Sequence, residues 1–280
     1  MQAINKQRLL LLGKIILFLI TFIIIGLLCS IIIELIPLNK ICTPLSFVIY
    51  GGTDLLIGFA TLALFVKVID KEKLISSDWF SLRSHVKDFF ISGLFGGICI
   101  LLGFLIIINL NWHQVETQPL RMNYLLGSCF MVLCGAFLEE VIFRGYLLRK
   151  LIEKFSPFVS LTLSSLLFVG LHCLNYGITF LSIINIFLAG LLLGMLFLKT
   201  KNIWLTVGFH FLWNYVQAIL GFNVSGGDLL PSIISLNFEN ANLFNGGNFG
   251  FEGSYVCSII LLLLTLYFYY KNFHFPKKLY

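Results

Sequence analysis

The sequence predicts an all-α, polytopic integral membrane protein of about eight transmembrane helices with its N- and C-termini cytoplasmic, and three observations lead there. The 280 residues are 59% hydrophobic and 11% charged, with a mean hydropathy of +0.96, a balance that no water-facing surface tolerates. The apolar residues gather into runs of about 20, the length a helix needs to cross a hydrocarbon core roughly 30 Å thick. The positive charges collect between alternate runs. Composition closes other routes. With 29 Phe the chain is too apolar for disorder. The net charge of +6 is scattered in short clusters rather than gathered into a stripe, which argues against nucleic acid as a partner. Seven cysteines, odd in number, without a Cys-x-x-Cys pair and mostly inside apolar runs, make neither a disulfide framework nor a zinc ribbon.

The eight runs cover 9–36, 45–67, 89–110, 122–148, 158–175, 178–198, 203–221 and 255–271, each bounded by charge, proline or glycine. The first follows Lys6 and Arg8 as a signal sequence would, but it is longer than an h-region of roughly 7–15 residues and lacks a small-residue cleavage site, so it is expected to stay as an anchor. The second ends at Lys67, the third follows Lys87, the fourth stops before Arg149 and Lys150, and the fifth follows Pro157. The sixth closes at Lys199, the seventh opens after Lys201, and the eighth runs to Lys271. With eight crossings, Lys6, Arg8, Lys14, Lys67, Lys71, Lys73, Arg83, Lys87, Arg144, Arg149, Lys150, Lys154, Lys199, Lys201, Lys271, Lys277 and Lys278 share one side, and only Lys40 and Arg121 take the other. The positive-inside rule makes the crowded side cytoplasmic and the chain a multi-pass protein of the cell membrane. Gly221–Ser254 holds no Lys or Arg, only Asp228, Glu239 and Glu252, and reads as a large outer loop whose Gly and Asn content predicts turns. No internal repeat or linker divides the chain, so residues 1–280 are expected to form one integral membrane domain, with the functional helices in 122–220.

An ionisable side chain at mid-membrane costs roughly 2.5–3.5 kcal/mol on the insertion scale, so each one needs a partner or a function. The fourth run holds Glu139, Glu140 and Arg144. Glu140 and Arg144 are spaced i,i+4 and close a salt bridge on one helix face, whereas Glu139, about 100° around the helix, points elsewhere. A solvated helix end would explain such a cluster, but Glu139 lies ten residues before Arg149, roughly 15 Å into the hydrocarbon. The seventh run carries His210 and Asn214, again i,i+4, at depths of roughly 13 and 20 Å counted from Lys201. Either alone reads as interhelical packing; together they read as a site. His172 in the fifth run is deeper by straight counting, roughly 22 Å from Pro157, which requires tilt or a later helix start. Asp54, after Gly51 and Gly52, is expected to cap a helix start, Asn109 and Asn185 to bond neighbouring helices, and His85, His113 and His274 to be solvated in loops or the tail.

One carboxylate, two histidines and an amide in a dry cavity can hydrolyse an acyl bond with water. Glu139 is the expected base; His172 holds or shares the water; His210 and Asn214 donate to the oxyanion; Glu140 and Arg144 support them. This chemistry needs no cofactor. Zinc held by His172, His210 and a glutamate is the alternative, against which stand the missing His-Glu-x-x-His and the spread of ligands over three helices. A serine nucleophile has no Gly-x-Ser-x-Gly, and Cys173 beside His172 points about 100° away from it.

At these positions the sequence resembles the CAAX-protease and bacteriocin-processing intramembrane proteases, also called the ABI family, which includes the Ras-converting prenyl-protein endopeptidases. The family's Glu-Glu-x-x-x-Arg is matched by Glu139, Glu140 and Arg144, with Phe143 and Gly145 completing Phe-Arg-Gly. Its Phe-x-x-x-His is matched by Phe168 and His172, and its His-x-x-x-Asn by His210 and Asn214. Gly246–Ser254 resembles a Gly-rich loop before the last helix of many bacterial members, while residues 1–120 match only as apolar spans. The resemblance implies an intramembrane endopeptidase in which Glu139 and His172 activate water and His210 and Asn214 bind the oxyanion. The implied partners are a hydrophobic or lipid-anchored peptide substrate and the lipid bilayer. Two other readings stay open: a non-catalytic member acting in bacteriocin self-immunity or regulating a membrane partner, and a transporter, since buried acids also mark ion pathways.

Overall fold

The computed structural model describes residues 2–34, 43–72, 82–110, 114–119, 121–228, 230–237 and 242–273. Among them run eight long helices: α1 (Gln2–Glu34), α2 (Thr43–Leu64), α3 (Leu82–Asn109), α4 (Met122–Ile152), α5 (Pro157–His172), α6 (Phe180–Thr200), α7 (Trp204–Ile219) and α8 (Tyr255–Phe273). Each predicted run has become one helix. By length and composition α1, α2, α3, α4 and α6 are able to cross a membrane, whereas α5 and α8 are shorter apolar helices. The chain is an all-α polytopic membrane protein.

The helices overrun their apolar stretches where polar residues keep the backbone bonds closing. α3 starts at Leu82 rather than at residue 89, and inside its first turns His85 Nδ1 meets Asp88 Oδ2 at 2.7 Å. His85 is therefore a helical residue with an i,i+3 partner, not a loop histidine. His113 and His274 lie outside the described residues. Asp54 caps nothing, because α2 runs unbroken through Gly51, Gly52 and Thr53, and Asp54 sits exposed on its interior. Gly51 is used for close approach, since a Cβ there would press on the Met131 backbone and Cys134. Two departures from α geometry went unforeseen. α2 ends in a π turn, Phe65–Ile69, and α4 widens into a π stretch over Val141–Leu148. The wider i→i+5 turns place more residues in each turn, so the roughly 15 Å counted from Glu139 to Arg149 is an upper bound.

The chain divides into two compact units, the first formed by 1–81 and 121–160 and the second by 82–120 and 161–280. In the first, α2 packs along α4 through glycines: Gly58 faces Leu138, and Gly127 faces the Pro44 backbone. Phe18 of α1 packs edge-on against Phe65 at 5.1 Å and lies 4.8 Å from the Tyr146 ring. One end is tied by charge. Asp70 accepts from Lys14 (2.9 Å) and from the Tyr146 hydroxyl (3.0 Å), and Lys150 bridges Asp70 (3.5 Å) and Glu72 (2.6 Å). Burial pushes the Asp70 carboxyl up, but the Lys14 bond, the Lys150 charge and the Tyr146 bond outweigh it and hold the group below its usual range.

In the second unit α3 and α7 lie close along their length because Gly96 faces the Phe209 carbonyl and Gly208 faces the Phe89 carbonyl, leaving no room for a Cβ at either. The core under them includes Ile100, Ile107, Leu192, Trp213, Phe251 and Cys257. The region read as an outer loop is built rather than loose. Its strand β2 (Ile234–Asn237) pairs antiparallel with β1 (Gln114–Thr117), Val115 opposite Leu236, and Phe249 and Phe251 are fully buried in two short 3₁₀ turns. Six cysteines among the described residues are free thiols; Cys42 lies outside them.

Candidate active site

In the first unit, α4 carries the acid pair. Glu140 is the last residue before the π stretch and Arg144 lies within it. Arg144 Nη1 donates to Glu140 Oε1 at 2.8 Å, with side chains 1% and 0% exposed. Arg144, counted among the cytoplasmic positives, is thus a fully buried cation. Glu139, one residue earlier, is only half-buried. The 100° step between neighbours has separated the two carboxylates, one sealed into an ion pair and one less enclosed.

In the second unit, His172 is the last residue of α5 and His210 and Asn214 sit on α7. The Phe168 ring links them: its centroid is 4.6 Å from the His172 ring and 6.3 Å from the His210 ring. His172 Nδ1 lies 2.8 Å from the Phe168 carbonyl oxygen. A carbonyl only accepts, so Nδ1 carries the hydrogen and, in the neutral ring, Nε2 keeps its lone pair. His210 is buried and Asn214 half-buried, with Asn214 Oδ1 reached by no donor among the described residues. Within neither unit do three His, Cys, Asp or Glu side chains among the described residues gather at metal-ligand spacing.

Other polar residues tie these helices to the segments around them. Asn185, expected to bond a neighbouring helix, is fully buried and donates through Nδ2 to the carbonyls of Glu252 (2.8 Å) and Ser254 (3.0 Å) in the segment before α8. Asn109 donates to the Leu105 carbonyl of its own helix. Gln217, one turn past Asn214, donates to the Asn223 carbonyl at 2.6 Å and ties the end of α7 to the loop after it. Only a fold that returns the chain to α6 makes the Asn185 bonds, and no local pattern announces them.

Residues 121–216 match the family described as type II CAAX prenyl endopeptidase Rce1-like. Over this stretch the chain is similar to the CAAX-protease family. The matched region includes Glu139, Glu140, Arg144, His172, His210 and Asn214. No curated protein and no solved structure matches the chain. The match covers 96 of the 280 residues.

Proposed function

We propose that the protein is an intramembrane endopeptidase that cuts a hydrophobic or membrane-anchored peptide with water activated by Glu139 and His172. The observation that carries this reading is that one family match spans all six motif residues, with an ion pair sealed inside the helix that bears Glu139. In this reading Arg144 engages Glu140, and Glu139, its neighbour, serves as base. His172, hydrogen-bonded through Nδ1, keeps Nε2 as an acceptor for water.

In the proposed cycle Glu139 takes a proton from water while the water oxygen attacks the scissile carbonyl carbon. His210 and Asn214 donate to the oxyanion that forms. The proton held by Glu139 then passes to the amide nitrogen, the C–N bond breaks, and an amine and a carboxylate leave. No cofactor takes part, and the protein works in the cell membrane with its termini cytoplasmic.

The test compares peptide termini in membranes of cells expressing wild type or Glu139→Ala at matched levels. New termini with wild type alone support the reading and name the substrate; Asn214→Ala should lose about 10²–10³ in kcat while staying folded. Indistinguishable termini, with an unchanged phenotype in Glu139→Ala, overturn it in favour of a non-catalytic member acting in self-immunity or regulation.

A further inference from the structure

Three pieces of the second unit meet behind His172: the turn after α5, the tight turn Val224–Gly227, and the Gly-rich segment before α8. Ser225 stands at φ 47° and Gly226 at φ 86°. Val224 and Gly227 exchange both backbone bonds across them, at 3.0 and 2.8 Å. Two positive φ values in a two-residue turn are the conformation that Gly, Asn and Asp favour, and a serine in the first place must be held there. Glu252 holds it. Its Oε2 accepts both the Ser225 N–H (3.0 Å) and the Ser225 Oγ–H (2.7 Å). Glu252 is in turn fixed by Asn185, which donates to its carbonyl. The Ser225 carbonyl accepts from Asn175 Nδ2 at 2.9 Å, and the Asn175 N–H donates to the His172 carbonyl at 3.1 Å, closing the end of α5.

We propose that Glu252 is a positioning residue for His172, acting through Ser225 and Asn175. The inference rests on the reading of His172 as part of the hydrolytic site. A helix leaves its last carbonyls without intrahelical partners and frays there. His172 is the last residue of α5, so its imidazole, bonded to the Phe168 carbonyl, keeps that direction while the following turn holds the helix end in place. Glu252 supplies the anchor by locking Ser225 into the backbone conformation that aims its carbonyl at Asn175. The role of this carboxylate is the orientation of the His172 ring, through the two bonds it accepts from Ser225.

The test uses the full chain purified in detergent as wild type, Glu252→Ala, Ser225→Gly and the double variant. Two quantities are measured: kcat and KM on the substrate identified from wild-type membranes, and amide exchange of residues 168–176. Glu252→Ala should lower kcat on the order of 10²-fold with KM little changed, and should speed exchange over 168–176. Adding Ser225→Gly should recover most of the loss, because glycine adopts the positive φ without help. Wild-type kcat in Glu252→Ala, unchanged exchange at 168–176, or a loss that Ser225→Gly does not relieve would each overturn the inference. If wild type proves not to cleave at all, the hydrolytic reading fails separately and exchange alone decides the coupling of Glu252 to α5. Should Glu252→Ala not fold, Glu252→Gln, which keeps an acceptor oxygen but loses the charge, takes its place in the same comparison.

Discussion

Removing one partner of the Glu140–Arg144 pair should cripple the fold, while removing both should spare it. The two side chains are 0% and 1% exposed and their N–O distance is 2.8 Å. Arg144→Met leaves Glu140 as a carboxylate out of water, and the loss of one member of a buried pair costs about 3–5 kcal/mol. Against a total of about 5–15 kcal/mol that is roughly a fifth or more of the stability of an ordinary domain. At about 2–4 °C per kcal/mol for a chain approaching this size, the midpoint of thermal unfolding should fall by roughly 6–20 °C. Glu140→Gln combined with Arg144→Met removes both charges, and an apolar or neutral replacement of a buried pair is commonly neutral or stabilising. The assay is tryptophan fluorescence during heating in detergent, with expression level as a second readout. If Arg144→Met melts within about 2 °C of wild type, or the double variant melts as low as the single one, the pair is not the interior lock described above.

The Asp70 cluster predicts a pH dependence. A carboxyl held below its ordinary value of about 3.9 stabilises the fold fully above that pH, and the contribution is lost as pH falls through the lower folded-state value. Wild type should out-melt Asp70→Asn at neutral pH, with the gap closing below about pH 4; a gap that ignores pH would count against the ion pairs. Gly250→Ala should also destabilise, because Gly250 stands at φ 94° and a Cβ there would strike the Asn223 carbonyl. A non-glycine residue forced into such a region costs of order 1–3 kcal/mol. The loss should appear as a lower melting point with faster amide exchange over 242–254, and wild-type behaviour in both would refute the steric argument.

The membrane class was legible because burial in lipid demands composition: eight apolar runs yield eight helices wherever enough consecutive residues satisfy the backbone internally. Pairs three or four residues apart were equally legible, since helix geometry alone brings Glu140 to Arg144 and sets His210 and Asn214 on one face. Local reading misled where a residue's role depends on a distant chain. Asp54 after Gly51 and Gly52 reads as a helix cap, yet Gly51 serves to admit α4 and Asp54 caps nothing. Asn185 looks like glue between helices, yet it holds a loop 67 residues away. The π stretch in α4 went unseen because nothing in a run of apolar residues distinguishes i→i+5 from i→i+4 closure.

By itself the sequence determined the solvent, the number of helices and the identity of the polar residues that helices carry into it, because these follow from hydropathy and a fixed 3.6-residue period. Only the tertiary structure decided what steadies them. Phe168 stands between two histidines that are 38 positions apart, and Glu252 reaches Ser225 across 27 residues. Contacts at that separation carry no period and cost loop-closure entropy before they return any bond, so they exist only where the rest of the fold has already brought the chain together.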